Sequence, residues 1–360
     1  MAQRPLLDRR AFMGAAGAGF LMALGPRAAL ALARTEAVFA SAFRAPDGSF
    51  GVATMTERGE IVDRTRLPDR AHGMAACRVT GRMVAFARRP GTFAVIFDKD
   101  ALAEPVVIAT PEGRHFFGHG EFSADGRILF ASENDFEAGC GVIGLYDTTS
   151  SFRRIAEFDA HGIGTHDIGV SPDGRFLAIA NGGIETHPDF GRTKLNLDRM
   201  RPSLVLLDAH SGALVQRHEL PPALAQLSTR HLAFAEGGRI WFACQFEGSR
   251  NETPPLAGYL SPGDDPTFVT LPSDVTERMG HYVGAIAINT AAGLVGLSSP
   301  KGSLVLLDAR DGHLLSERAV RDAAGVAASA EGIAVSGYDG TLAETTSRVN
   351  WDQHLLRFPR

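Results

Sequence analysis

Four histidines stand at near-regular intervals in this 360-residue chain: His72, His119, His166 and His231. The first two intervals are 47 residues each and the third is 65. A neutral imidazole is a ligand for Fe, Cu, Zn or Ni, and nearby carboxylates add charge and hard-oxygen character. Four imidazoles brought to one point can hold a single ion, or line a ring that binds an anion when protonated. A second tier accompanies them: His115, His161, His187 and His281, with Glu133 and Asp135 as carboxylates. One histidine ahead of a strand is more often a structural tie to its neighbour, so the metal reading rests on having four in register. His119, His166 and His231 come first and His72 next. The cofactor this calls for is one transition-metal ion, Fe or Cu, and no organic group.

Residues so far apart need a repeating scaffold to meet. Segments around each histidine align with one another and with Val283-Gly284-Ala285-Ile286 and Ala324-Gly325-Val326-Ala327, where the histidine is missing. Most are followed by a Gly-rich turn, such as Ala124-Asp125-Gly126-Arg127 and Pro172-Asp173-Gly174-Arg175, and then by a short apolar or β-branched run. Such runs fall at residues 83–87, 128–132, 176–180, 240–244, 294–298 and 333–337. Several units add a third run ending in Asp, at 93–98, 142–147, 204–208 and 304–308. Short strands joined by Asp-Gly hairpins, without helical periodicity, read as antiparallel sheet. A period in the high forties with about four strands per unit marks a β-propeller. With an N-terminal unit over residues 36–69 the count is seven, so the fold class is all-β, a seven-bladed propeller of four-stranded antiparallel blades. Residues 354–358 are the expected closing strand, pairing in a blade with the strand near 38–43.

That geometry maps one face. Residues entering each inner strand and residues leaving each second strand share one mouth of the axial channel. The four histidines enter; Arg88-Arg89, Glu133-Asn134-Asp135, Asn181 and Gln245 leave. An insertion over residues 182–201, with Glu185, His187 and Asp189, reaches the same face as a lid or a packed flap. Glu133 or Asp135 is placed to act as a general base, but no Ser or Cys nucleophile accompanies them in a recognisable pattern. Arg230 suits a carboxylate or phosphate, or a tie between blades.

Composition narrows the class. The chain is 44% hydrophobic and 21% charged, with 40 Gly and 19 Pro, which suits many short elements joined by turns. Its net charge is −5, and no Lys/Arg run serves nucleic acid. Cys77 and Cys244 fall inside expected strands as buried free thiols, Cys140 falls in a loop, and three is too few for a disulfide scaffold. Residues 1–33 read as a leader: Arg9-Arg10 in Asp8-Arg9-Arg10-Ala11-Phe12-Met13 is similar to the twin-arginine export signature. An Ala/Gly/Leu-rich stretch follows, and Ala31-Leu32-Ala33 offers a cleavage site. A membrane anchor fits less well, because the apolar stretch is short and Pro26-Arg27 interrupts it. Without the leader's four Arg and one Asp, the chain has 32 basic and 40 acidic side chains, a net of −8. The expected product is one propeller domain over 34–360, periplasmic, with no later span, and self-sufficient as a monomer.

Several motifs together resemble a family. These are Gly118-His119-Gly120, Ser132-Glu133-Asn134-Asp135, Gly162-Ile163-Gly164 with His166, Asn181-Gly182-Gly183-Ile184 with His187-Pro188-Asp189, Lys194-Leu195-Asn196-Leu197 and Arg230-His231-Leu232. They are similar to those of exported bacterial propellers with a domain of unknown function, described as iron-transport associated. The resemblance spans nearly the whole chain after the leader. It implies a seven-bladed propeller of the WD40/YVTN or quinoprotein-amine-dehydrogenase-like type. It also implies a gene neighbourhood with imelysin-type iron-regulated proteins and a di-haem oxidoreductase, and it carries no catalytic residues. The first function expected is therefore a periplasmic protein of iron or copper acquisition, binding a metal or metal complex at the His-lined mouth and meeting iron-uptake partners. A non-catalytic scaffold for an imelysin-like or haem partner is the alternative. A metal-dependent propeller enzyme such as a lactonase comes third.

Overall fold

The computed structural model describes residues 36–98 and 104–358. The expected leader, residues 1–33, lies outside the described residues. Among these, 28 strands form seven four-stranded antiparallel sheets. The inner strands, in order round the ring, are Asn350–Arg357, Ala71–Ala76, Arg114–Phe122, Thr165–Val170, Leu227–Phe234, Ala285–Asn289 and Ala323–Ser329. This is the seven-bladed propeller expected from the repeat. We number the blades from the one that contains Phe39–Arg44.

Local chemistry explains the hairpins. In blade 3 the Asp125 carboxylate accepts from the Ser123 hydroxyl at 2.6 Å and the Arg127 amide at 3.1 Å. Between them Gly126 takes φ +72°, a left-handed turn position that suits glycine. Blade 4 repeats the arrangement with Ser171, Asp173, Gly174 and Arg175. Second strands such as Phe176–Asn181 are buried on both faces, because each sheet is sandwiched between neighbours. Outer strands such as Arg153–Asp159 and Leu214–Glu219 lie largely in solvent and are correspondingly polar. Apolar contacts run between blades: Trp241 and Phe242 of blade 5 share a cluster with Leu204 and Leu206 of blade 4 and Val295 of blade 6.

The C-terminal strand closes the ring. Asn350–Arg357 pairs with Phe39–Arg44, from Arg44↔Asn350 to Phe39↔Arg357, and so becomes the inner strand of blade 1. Trp351 is fully buried, meets Phe43 edge-on and donates its indole N–H to the Gly340 carbonyl of blade 7 at 3.0 Å. Closure gives blade 1 its fourth strand and covers the otherwise open edge of Phe39–Arg44.

Residues 182–201 interrupt blade 4 between Phe176–Asn181 and Ser203–Asp208. They fold into two short 3-10 turns tied down by the Asn196 side chain, which accepts from the Glu185 amide at 2.7 Å and donates to the Gly183 carbonyl at 3.0 Å. The segment is thus a packed flap at the mouth. Cys77 and Cys244 are buried free thiols, and burial pushes the Cys244 thiol up. Cys140 opens the strand Cys140–Asp147 rather than lying in a loop, because Asp135↔Cys140 is already a paired rung. No helix among the described residues is long and apolar enough to cross a membrane.

Candidate functional site

Each histidine is aimed by an irregularity in its own strand. The pairing register slips between Ala71 and Met74, Phe116 and Gly120, Thr165 and Asp167, Thr229 and His231, and Trp351 and Leu355. These slips sit on or beside His72, His119, His166, His231 and His354. An extra residue in a strand turns a side chain that would alternate between sheet faces toward the axis instead. Blade 6 has no slip in Ala285–Asn289 and supplies no histidine. Blade 7 slips between Ala323 and Val326 but places Ala324 and Gly325 there. A Cβ on Gly325 would collide with the backbone of His354 and Leu355, so blade 7 gives up its side chain to let the closing strand approach. Gly118, at φ +103°, plays the same part beside His72: a Cβ there would lie 2.9 Å from the His72 ring.

The result is a five-imidazole cluster. Ring centroids lie 4.9 Å apart for His72–His119, 4.7 Å for His72–His354, 4.8 Å for His166–His231 and 4.9 Å for His231–His354. One ring nitrogen from each of His72, His119 and His166 lies within 4.8 Å of the others, and so does one from each of His119, His231 and His354. An ion about 2.1 Å from each ligand nitrogen sets them about 3–4.2 Å apart, so each of these two triads, which share His119, is near the spacing of a ligand set. Nδ1 of His72, Nε2 of His119, both ring nitrogens of His231 and Nε2 of His354 are buried without a hydrogen-bond partner in the protein. Buried polar atoms in native proteins are nearly always paired, and each exception costs about 1–3 kcal/mol. These atoms come from four rings, each able to give one nitrogen to an ion, and four such rings at one place match a donor set for a metal.

Outer contacts fix two of the rings. Asp167 places Oδ1 3.3 Å from His119 Nδ1 and Oδ2 3.9 Å from His231 Nδ1, and is itself held by the Ile168 and Leu232 amides at 2.8 and 3.0 Å. A carboxylate on Nδ1 leaves the Nε2 lone pair of His119 free to ligate, the arrangement common around metal-bound histidines. His166 uses its Nδ1 on the Arg230 carbonyl at 3.1 Å. Burial, and then the neighbouring histidines and arginines, hold His72, His166, His231 and His354 well below the usual imidazole value. They are neutral at pH 7, the ligating form, which works against a protonated anion-binding ring.

The second tier is not brought to this point. His115 contacts the Phe116 carbonyl and the Asn134 amide and stacks on Phe136. His161 and His187 face Asp159 and Asp189 locally. His281 is held by the Glu252 carbonyl at 2.7 Å and Arg250 at 3.4 Å. Asp135 pairs with Arg114. Glu133, fully buried, lies inside blade 3, where it accepts from Tyr146 at 2.8 Å, Arg154 at 3.0 Å and Arg114 at 3.4 Å. Glu157 ties the same two arginines, which hold its carboxyl down at about 2. Glu133 is a brace, not a base. Glu133→Ala should cost about 1–3 kcal/mol by leaving the buried Tyr146 hydroxyl without its acceptor, while Glu157 keeps Arg114 and Arg154 paired, read by denaturant melts, with the metal content of the folded fraction unaltered.

Three residues at the axis escaped the sequence reading: His354, Asp167 and Glu121. Asp167 was hidden in plain view next to His166, and Glu121 lies two residues beyond His119. Glu121 lines an axial cavity of about 460 Å³ beneath the histidines, together with Asp167, Arg78 and Arg357. Burial pushes the Glu121 carboxyl up to about 7.

The comparisons with known proteins address the fold and family. A family model described as "Protein of unknown function (DUF1513)" matches residues 65–358. No curated protein matches the sequence significantly. Among solved structures, Kuenenia stuttgartiensis hydrazine synthase superposes with a TM-score of 0.59 at 13% identity, covering 87% of this chain and 94% of that one. A chain of a mitotic checkpoint complex superposes with a TM-score of 0.54 at 12% identity, covering 80% and 76%. Identities this low carry the propeller architecture and nothing about activity.

Proposed function

Since the chain belongs to the DUF1513 family of proteins of unknown function, its role rests on its own residues, and we propose that it is a periplasmic metal-acquisition propeller. In this reading His72, His119, His166, His231 and His354 bind one iron or copper ion at the axis. The observation that carries it is the set of five buried ring nitrogens without partners, from four histidines on the inner strands of four blades, with His166 of a fifth blade beside them. Neutral imidazoles suit iron and copper, and five of them exceed the four ligands of a closed structural zinc site. The twin-arginine motif at Arg9-Arg10 supports the periplasm. The family's resemblance to iron-transport-associated propellers supports acquisition over catalysis.

The test is metal analysis of the full chain exported by its own leader. About one iron or copper ion per chain is expected, falling at least tenfold in His119→Ala/His354→Ala. Metal content that is nil under every loading condition, or that survives the double substitution, overturns the proposal. A scaffold for an imelysin-like or haem partner is the second reading, favoured by Phe190, which stands 61% exposed on the flap beside the mouth. The same double variant separates the two, since a scaffold keeps its partner when the histidines are gone.

A further inference from the structure

The mouth on the other side of the histidines is strongly cationic. Arg70 enters blade 2, Arg88 and Arg89 leave its second strand, Arg230 precedes His231, and Arg192 and Lys194 reach in from the flap. Arg88 acts electrostatically on His72 and His354, and Arg230 acts on His166 and His231, so the cluster lies directly over the ring. Two carboxylates already sit in it. Asp352 takes Arg70 at 2.5 Å and Arg88 at 3.3 Å, and Glu247 takes Lys194 at 2.5 Å and Arg230 at 3.5 Å. Six cations against two carboxylates leave an excess of four positive charges. Arg89 and Arg192 form no ion pair among the described residues. The Arg230 side chain is 10% exposed, and its Nε, like that of Arg88, is buried without a partner.

Like charges gathered in a half-buried mouth are costly unless an anion joins them. Burial first, then Arg230, Arg192 and Arg88, work against the Arg89 cation, and burial with Arg88 and Arg230 does the same to Arg192. The guanidinium fork matches carboxylate and phosphate oxygens two at a time. Tyr282 stands near Arg192, and Tyr338 near Arg70 and Arg88, and both add hydroxyls.

We propose that this arginine mouth is a binding site for a small, multiply charged oxyanion, a polycarboxylate or phosphate, seated on Arg89, Arg192 and Arg230 next to the histidine axis. The site deepens the metal reading, since an anion there neutralises a cationic centre and offers an oxygen ligand to it. It stands apart from that reading in being testable on metal-free protein.

The experiment is calorimetric titration of the full mature chain with citrate and, separately, with inorganic phosphate, each with metal removed and with metal loaded. The expected result is saturable binding that weakens with added sodium chloride and loses about tenfold or more in affinity in Arg89→Ala/Arg192→Ala. Neither arginine is paired, so the double variant strands no carboxylate. Arg192→Ala alone, on the flap and outside every strand, guards against misfolding. Binding of citrate alone assigns a polycarboxylate, and binding of phosphate alone assigns a phosphate ligand. Failure of both anions to bind in either state, or affinity unmoved by the substitutions, overturns the site. Anion binding by a protein that takes up no metal refutes the metal reading and leaves this one standing.

Discussion

Metal-free protein carrying His231→Leu should melt above its metal-free parent, and metal should reverse that order. His231 is 2% exposed and both of its ring nitrogens lack hydrogen-bond partners. Each orphaned group costs about 1–3 kcal/mol in a folded core. Leucine fills a similar space without polar atoms. What is lost is the 3.9 Å approach to Asp167, whose carboxylate keeps the Ile168 and Leu232 amides. The variant should thus gain about 1–3 kcal/mol, a rise of a few degrees in Tm. With metal at a thousandfold excess over Kd, the parent gains about 4 kcal/mol by mass action. The variant, one donor short, gains much less, and the two melting curves cross. Thermal melts with and without iron or copper decide it. Histidines that merely tie blades together predict a lower Tm for His231→Leu under both conditions, and that result would remove the axis as a ligand set.

How much of this was legible in the sequence depends on which residues carried the period. His72, His119, His166 and His231 could be aligned because each stands at the head of a unit followed by its own turn and second strand. His354 belongs to the same set in space, and Gln353-His354-Leu355 matches Arg230-His231-Leu232 in place. Its blade partners, however, begin at Phe39, more than 300 residues earlier, so no local repeat flags it. The closing strand itself is readable, and an inner strand that completes a ring presents the same side chain as the others. The second tier failed for the opposite reason. Proximity in sequence to an inner strand does not set direction: His115 lies in the same strand as His119 but before the slip, so it points to Asn134. Glu133 sits where a second strand leaves toward the mouth, yet the period of two turns it into the blade against Tyr146. Register slips decide both cases, and no composition or spacing rule announces them.

Truncation after residue 349 should abolish cooperative folding, and a peptide of residues 350–358 added in excess should restore it. The missing strand carries Trp351 and Leu355, both buried in the cluster that joins blades 1 and 7. It also carries Asp352, which holds Arg70 and Arg88 of blade 2. Removing one such large core side chain costs about 3–5 kcal/mol. The truncation loses several at once and bares the edge of Phe39–Arg44, against a total stability of about 5–15 kcal/mol. The expected signature is loss of the thermal transition and rapid proteolysis; an unchanged Tm would remove the closure. The peptide also isolates the site from the scaffold. A peptide with His354→Ala keeps Trp351, Asp352 and Leu355, so it should restore the melting transition but not metal uptake. The native peptide should restore both. That separation follows from the topology: the ring brings His354 to His72 across 282 residues of chain, so an ion shared between them would act as a second clasp on the seam that the closing strand makes.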